Sequence, residues 1–228
     1  MLKSRAVAVN ETSYYDALAN LCNEVGGALK PKVRFVSTPK GLGAGLPDGG
    51  LYNANQLRRG ADVGLATTKP ERGCVEVKGL KEEVERIAAS EQVAKYLRGY
   101  GQVLVTNYRD FLLVGRDEAG NRKDLERYTL AASEREFWEL AERPAVAGRE
   151  HGERFAEYLK RVMLHAAPLA QPEDVARFLA SYARDARARV EQRPDLPALQ
   201  GLREALEQAL GLRFEGERGE HFFRSTPV

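Results

Sequence analysis

Only two cysteines, Cys22 and Cys74, occur among 228 residues, and they form no Cys-x-x-Cys pair. A disulfide scaffold and a four-cysteine zinc ribbon are therefore excluded. The three histidines, His151, His165 and His221, fit no metal-ligand spacing, and there is no His-Glu-x-x-His helix. No apolar run approaches the roughly 20 residues needed to span a bilayer. The short patch Ala6–Val9 behind Lys3 and Arg5 does not read as a secretory signal. A cytoplasmic protein without a membrane partner is the expectation. No Gly-x-x-x-x-Gly-Lys-Ser/Thr loop is present, which excludes ATP hydrolysis by that device, and Gly41-x-Gly43-x-Gly45 lacks dinucleotide-binding spacing. No Pro-Pro pair exists, so the Asn/Asp-Pro-Pro-Tyr/Phe motif of adenine methyltransferases is missing from these residues. An excess of one charge is also lacking: 35 basic and 33 acidic residues leave a net +2. The small basic surplus lies in residues 1–110, with 16 Lys+Arg against 12 Asp+Glu, while residues 111–228 carry 19 against 21. That distribution is compatible with phosphate contact in the first half.

What is present is an ordinary globular composition, 43% hydrophobic and 30% charged. Leu18, Leu21, Cys22, Val25 and Leu29 recur at helical spacing, and Ser13-x-x-Asp16 fits a capping box, which predicts a helix over about Glu11 to Leu29 closed by Pro31. Strands are predicted at Val33–Ser37, Pro47–Tyr52, Gly73–Gly79, Gln102–Thr106 and Phe111–Val114, with one helix over Val84–Arg98 between the third and fourth. From Ser133 onward the signals are helical, over Glu134–Ala141, Glu153–Ala166, Glu173–Arg189 and Pro197–Leu210. The fold class is therefore α/β for residues 1–130, followed by an all-helical region over residues 131–228.

One segment carries chemistry. Side chains alternate faces along a strand, so Glu76 and Lys78 project to the same side and Val75 and Val77 to the other. A carboxylate and an ammonium on an otherwise apolar strand are costly unless they pair or bind something. Asp48 follows Pro47 in the preceding strand, and Gly49-Gly50 leave room for another chain or a ligand to approach. If the two strands are neighbours, Asp48 and Glu76 converge, and they repel unless a hard cation lies between them. Mg²⁺ meets that demand, and Lys78 beside it would offer positive charge to a phosphate oxygen or to an attacking water. Removing one carboxylate should then relieve repulsion in metal-free buffer. Asp62 competes with Asp48 for the aspartate position. Glu11, at the start of the predicted first helix, reads on its own as a helix-start acid favoured by the macrodipole.

Pro47-Asp48 with Glu76-Val77-Lys78 resembles the signature of PD-(D/E)xK nucleases. Three further segments resemble that family in the same order: Asn10-Glu11-Thr12-Ser13-Tyr14, Gln92-Val93-Ala94-Lys95-Tyr96, and Leu104 through Phe111. Together they resemble the N-terminal endonuclease region of single-chain type IIG or type ISP-like restriction-modification enzymes, which also carry an adenine-N6 methyltransferase. The resemblance implies a mixed central sheet flanked by helices and a Mg²⁺-dependent endodeoxyribonuclease. It implies Asp48 and Glu76 as metal ligands, Lys78 and Glu11 as catalytic groups, and Gln92 and Tyr96 as auxiliary or DNA-contacting residues. Double-stranded DNA is the implied substrate, with a transient dimer on it. Residues 131–228 would form a helical connector toward methyltransferase and target-recognition domains. S-adenosylmethionine would belong to that methyltransferase and not to this chain, which would be the N-terminal part of a larger polypeptide. The rival expectations are a catalytically silent DNA-binding or scaffold module and a stand-alone repair nuclease.

Overall fold

Leu18, Cys22 and Val25 recur every three to four residues, and all three are buried along one side of α1 (Tyr15–Gly27). The structure, a computed structural model, describes residues 14–37, 46–56, 69–165, 167, 172–192, 197–211 and 213. The chain divides by packing into two units, Met1–Pro168 and Leu169–Val228.

In the first unit the described strands form one six-stranded mixed sheet in the spatial order β1 (Val33–Ser37), β2 (Gly49–Asn53), β3 (Cys74–Val77), β4 (Val103–Thr106), β5 (Asp110–Arg116) and β6 (Arg122–Thr129). Four neighbouring pairs are antiparallel and β3–β4 is parallel. A parallel pair requires a crossover connection, which here contains α2 (Val84–Ala88) and α3 (Glu91–Tyr100). After β6 come α4 (Glu134–Ala141) and α5 (Pro144–His165).

Helices cover both faces of the sheet. Val75, Val77, Leu104 and Leu113 enter one core with α1 and with Phe155, Tyr158, Leu159, Val162 and Met163 of α5. Cys74, Val103, Val105, Leu112 and Val114 enter the other with α2 and α3. Strand alternation thus sorts successive residues of β3 into two separate cores. The second unit contains α6 (Pro172–Gln192) and α7 (Pro197–Leu210). Among the described residues no helix is long and apolar enough to cross a membrane.

The α/β class is what the sequence predicts, and three details differ. The Val84–Arg98 helix is two helices, because Ser90 starts a new one by accepting from Val93 N at 3.3 Å through its side chain. A sixth strand, β6, follows the Asp117–Asn121 turn; its charged residues alternate only weakly because most of it is exposed. The packing boundary lies at 168/169 rather than near 130, since α5 supplies five buried side chains to the main core. The helix start at Ser13 and the loop Gly41–Gly45 lie outside the described residues.

α1 passes very close to β1. A Cβ on Gly26 would sit 2.3 Å from the Val33 carbonyl oxygen and 3.1 Å from Met163 Sδ, whereas one on Gly27 would meet nothing within 4 Å. Gly26→Ala should therefore destabilise by about 1–3 kcal/mol through overpacking. Gly27→Ala should be neutral or stabilising by up to about 1 kcal/mol, through helix propensity alone. Urea unfolding of the two variants should shift the midpoint in opposite senses or, at the least, for Gly26→Ala only.

Candidate active site

Burial of β3 on both faces makes Glu76 unusual. Val75 and Val77 are consumed by one core, and Glu76 shares the opposite face with Cys74, where it is 1% exposed. A buried carboxylate costs several kcal/mol unless charge and hydrogen bonds compensate it. Lys78, placed on the same face by the two-residue spacing, brings Nζ within 2.5 Å of Glu76 Oε1 and donates to the Val77 carbonyl at 3.2 Å. The Lys78 side chain is one quarter exposed and that of Glu76 is 1% exposed, so solvent reaches the pair from the Lys78 side.

Asp48 reaches the same place from β2. The β2–β3 register pairs Gly49 with Val75 and Gly50 with Cys74. Continued by one residue, that register sets Asp48 opposite Glu76. Asp48 Oδ2 accepts a hydrogen bond from Val77 N at 2.7 Å, so the side chain takes up a backbone donor where the ladder ends. Asp48 is half-buried, and Oδ1 is not used in that bond. The close approach expected at Gly49 is made by the protein itself, since a Cβ there would lie 2.3 Å from the Phe35 ring. Glycine is required at that point for the β1–β2 packing rather than for a ligand.

The face of α3 opposite Glu76 carries Tyr96, fully buried, whose hydroxyl accepts from Gln92 Nε2 at 2.8 Å. The i, i+4 spacing makes that contact possible. Burial pushes the Tyr96 phenol up to about 12; the Gln92 bond opposes the shift, and the negative charges of Glu76 and Asp48 reinforce it. The phenol therefore stays protonated within the field of both carboxylates. Cys74 responds in the same direction, raised by burial first and then by Glu76 and Asp48, and remains a thiol. Cys22, in the other core, is pushed up to about 12 by burial alone. Neither cysteine supplies a thiolate nucleophile or a soft metal ligand.

Asp48, Glu76, Lys78, Gln92 and Tyr96 are thus gathered at or beside one end of the sheet. Glu11 and Asp62 lie outside the described residues. The described residues flanking Asp62 sit at the far end of β2: Gln56 Nε2 donates to the Lys69 carbonyl at 2.7 Å, and Gln56 Oε1 accepts from Glu71 N at 3.0 Å. Among the described residues no group of three or more His, Cys, Asp or Glu side chains forms a metal cluster. The two carboxylates and the Val77 carbonyl are nevertheless all hard oxygen donors, and Mg²⁺ is commonly held by one or two carboxylates with waters completing its octahedron. The donor chemistry fits that ion.

Sequence reasoning missed the residues that hold the end of β3 in place. Lys78 N donates to the Thr106 carbonyl at 2.9 Å, and Asn107 Nδ2 donates to the Glu82 carbonyl at 2.7 Å. The turn at Asn107–Asp110 is legible from its residue types; its reach across 25 residues to Glu82 is not.

No family model matches this chain, and neither a curated protein nor a solved structure does.

Proposed function

We propose that the first unit is a Mg²⁺-dependent DNA endonuclease domain of the PD-(D/E)xK type, hydrolysing phosphodiester bonds. The observation that carries this reading is the convergence of Asp48 and Glu76 at the ends of adjacent strands, with Lys78 Nζ 2.5 Å from Glu76. The mixed sheet flanked by helices and the Gln92–Tyr96 face beside Glu76 support it. Asp48 is the aspartate assigned, because its carboxylate is held against β3 while the flanks of Asp62 lie at the far end of β2.

In this reading Asp48 and Glu76 would hold Mg²⁺, which when bound supplies positive charge to the phosphate and acidifies a water. Asp48 is oriented by the Val77 amide, so its free oxygen is presented without a conformational search. Glu76 is fixed by burial and by Lys78. Lys78 keeps its ammonium at the exposed edge, where it can donate to a phosphate oxygen or to the attacking water and stabilise the charge that develops in line with it. Tyr96 and Gln92 wall the site and keep it neutral on that side. The helical unit Leu169–Val228 would serve as a connector toward methyltransferase and target-recognition domains, with double-stranded DNA as the shared partner.

The test is supercoiled plasmid incubated with the purified chain, with Mg²⁺ and with Mg²⁺ plus EDTA. Nicked or linear product in the first and none in the second is expected. A chain that binds plasmid but leaves it intact in Mg²⁺ would overturn the nuclease reading in favour of a silent DNA-binding module.

A further inference from the structure

The β4–β5 turn carries a dense set of polar bonds at the carboxylate end of the sheet. Thr106 and Asn107 are fully buried, and Asp110 nearly so. Thr106 Oγ1 donates to the Asp110 carbonyl at 2.8 Å and accepts from Tyr108 N at 2.9 Å. Asn107 Oδ1 accepts from Arg109 N at 3.1 Å and from Asp110 N at 2.7 Å. These bonds hold Tyr108 at φ +69°, a left-handed conformation that a bulky residue adopts only under constraint. The oxygen of Asn107 thus builds the turn, while its nitrogen reaches out of it to the Glu82 carbonyl at 2.7 Å.

Glu82 ends a short turn that begins directly after Lys78, closed by Glu82 N donating to the Gly79 carbonyl at 3.0 Å. On its other side Lys78 N is the last rung on Thr106. One β4–β5 turn therefore grips the chain on both sides of Lys78, by Thr106 before Gly79 and by Asn107 after it. Between the two grips stands Gly79, where a Cβ would meet nothing within 4 Å, so local packing does not restrain that pivot.

We propose that Asn107 is a positioning residue for Lys78: its Nδ2 bond to the Glu82 carbonyl fixes the Gly79–Glu82 turn and thereby holds the Lys78 ammonium at Glu76. The inference rests on the nuclease reading for its consequence in catalysis, while the tether itself is readable without any activity. Asn107 touches neither carboxylate; it acts through the backbone that carries Lys78.

Asn107→Asp separates the two functions of the side chain. A carboxylate still accepts from Arg109 N and Asp110 N, but it cannot donate to the Glu82 carbonyl and repels it. Amide hydrogen exchange of the variant should be at least about 10-fold faster over Lys78–Glu82, with Tyr108–Asp110 unchanged. In the plasmid assay kcat should fall about 10- to 100-fold, as displacement of a reacting group does, with KM for DNA within about 3-fold. Adding Gly79→Ala, which stiffens the pivot at an open position, should restore part of kcat. If Asn107→Asp fails to fold, Asn107→Ser keeps a turn acceptor and loses the reach to Glu82, and is read the same way. An exchange pattern over Lys78–Glu82 equal to the parent's overturns the tether. A loosened turn with unchanged kcat in an active parent overturns the positioning role, and so does a loss that lies in KM alone. A parent without Mg²⁺-dependent cleavage overturns the nuclease reading instead, with the exchange result still deciding the tether.

Discussion

Asp48→Asn and Glu76→Gln should each lower Mg²⁺-dependent nicking by at least about 10²–10³-fold, the scale on which loss of one charge-stabilising group is felt in an enclosed site. The amide variants are chosen for what they keep. Asp48 Oδ2 accepts from Val77 N, and an asparagine oxygen can still do so, whereas alanine would leave that donor of a buried residue unmet at about 1–3 kcal/mol. The simple expectation that deleting a carboxylate stabilises the metal-free protein by relieving repulsion therefore does not carry over to Asp48→Ala. At Glu76 the side chain is 1% exposed and shape must be preserved, which glutamine does; the Lys78 ammonium can turn to solvent when its carboxylate is gone. Loss of cleavage with unfolding unchanged in urea is the expected result for both. If both variants cut like the parent, the nuclease reading fails. If Asp62→Asn is dead and Asp48→Asn cuts, only the identity of the aspartate changes.

The shared face of Glu76 and Lys78 was legible because strand physics is strict. In Cys74-Val75-Glu76-Val77-Lys78 a period of two leaves no freedom over which side chains share a face, and the structure sorts them so. The approach of Asp48 was a conditional inference, true only if β2 and β3 are neighbours, and the Gly49–Val75 pairing satisfies it. β6 was missed for the opposite reason. Arg122–Thr129 is mostly exposed, so both of its faces tolerate charge and the alternation that marks a strand is diluted. Its place is decided by the Asp117–Asn121 turn and by pairing with β5, which no local pattern encodes. The packing division at 168/169 was not legible because helical periodicity says that a helix is amphipathic, not what its apolar side meets. Phe155, Tyr158, Leu159, Val162 and Met163 look the same in a connector as in a core helix. The Asn107 tether belongs to the same class: its residue type announces a turn, and only the fold brings Glu82 to it.

Asp110→Asn should lower the stability of the first unit by about 2–4 kcal/mol near neutral pH, and the loss should fade as pH falls. Asp110 is 4% exposed at the start of β5, where Oδ1 accepts from Thr129 Oγ1 at 2.7 Å and from Arg127 at 3.0 Å, and Oδ2 from Arg109 at 3.0 Å. Burial alone would raise its carboxyl, but the bonds from Thr129, Arg127 and Arg109 outweigh it and hold the group below the ordinary carboxylate range. The effect is kept below that of a wholly buried pair because the Arg127 side chain is 45% exposed and also bonds Glu85. A carboxyl depressed in the folded state binds its proton more weakly than in the unfolded chain, so its contribution is complete above the unfolded value of about 4 and is lost as pH falls through the folded one. Urea midpoints for parent and variant should therefore differ most above the ordinary carboxylate range and converge as pH falls below it. A difference that stays constant across that range would mean that asparagine costs stability by facing an NH2 donor toward Thr129, Arg127 or Arg109 and that the charge of Asp110 contributes nothing. Asp110 O and N, bonded within the turn that Asn107 builds, are backbone groups that the substitution keeps, so the Tyr108–Asp110 amides should stay protected in hydrogen exchange near neutral pH.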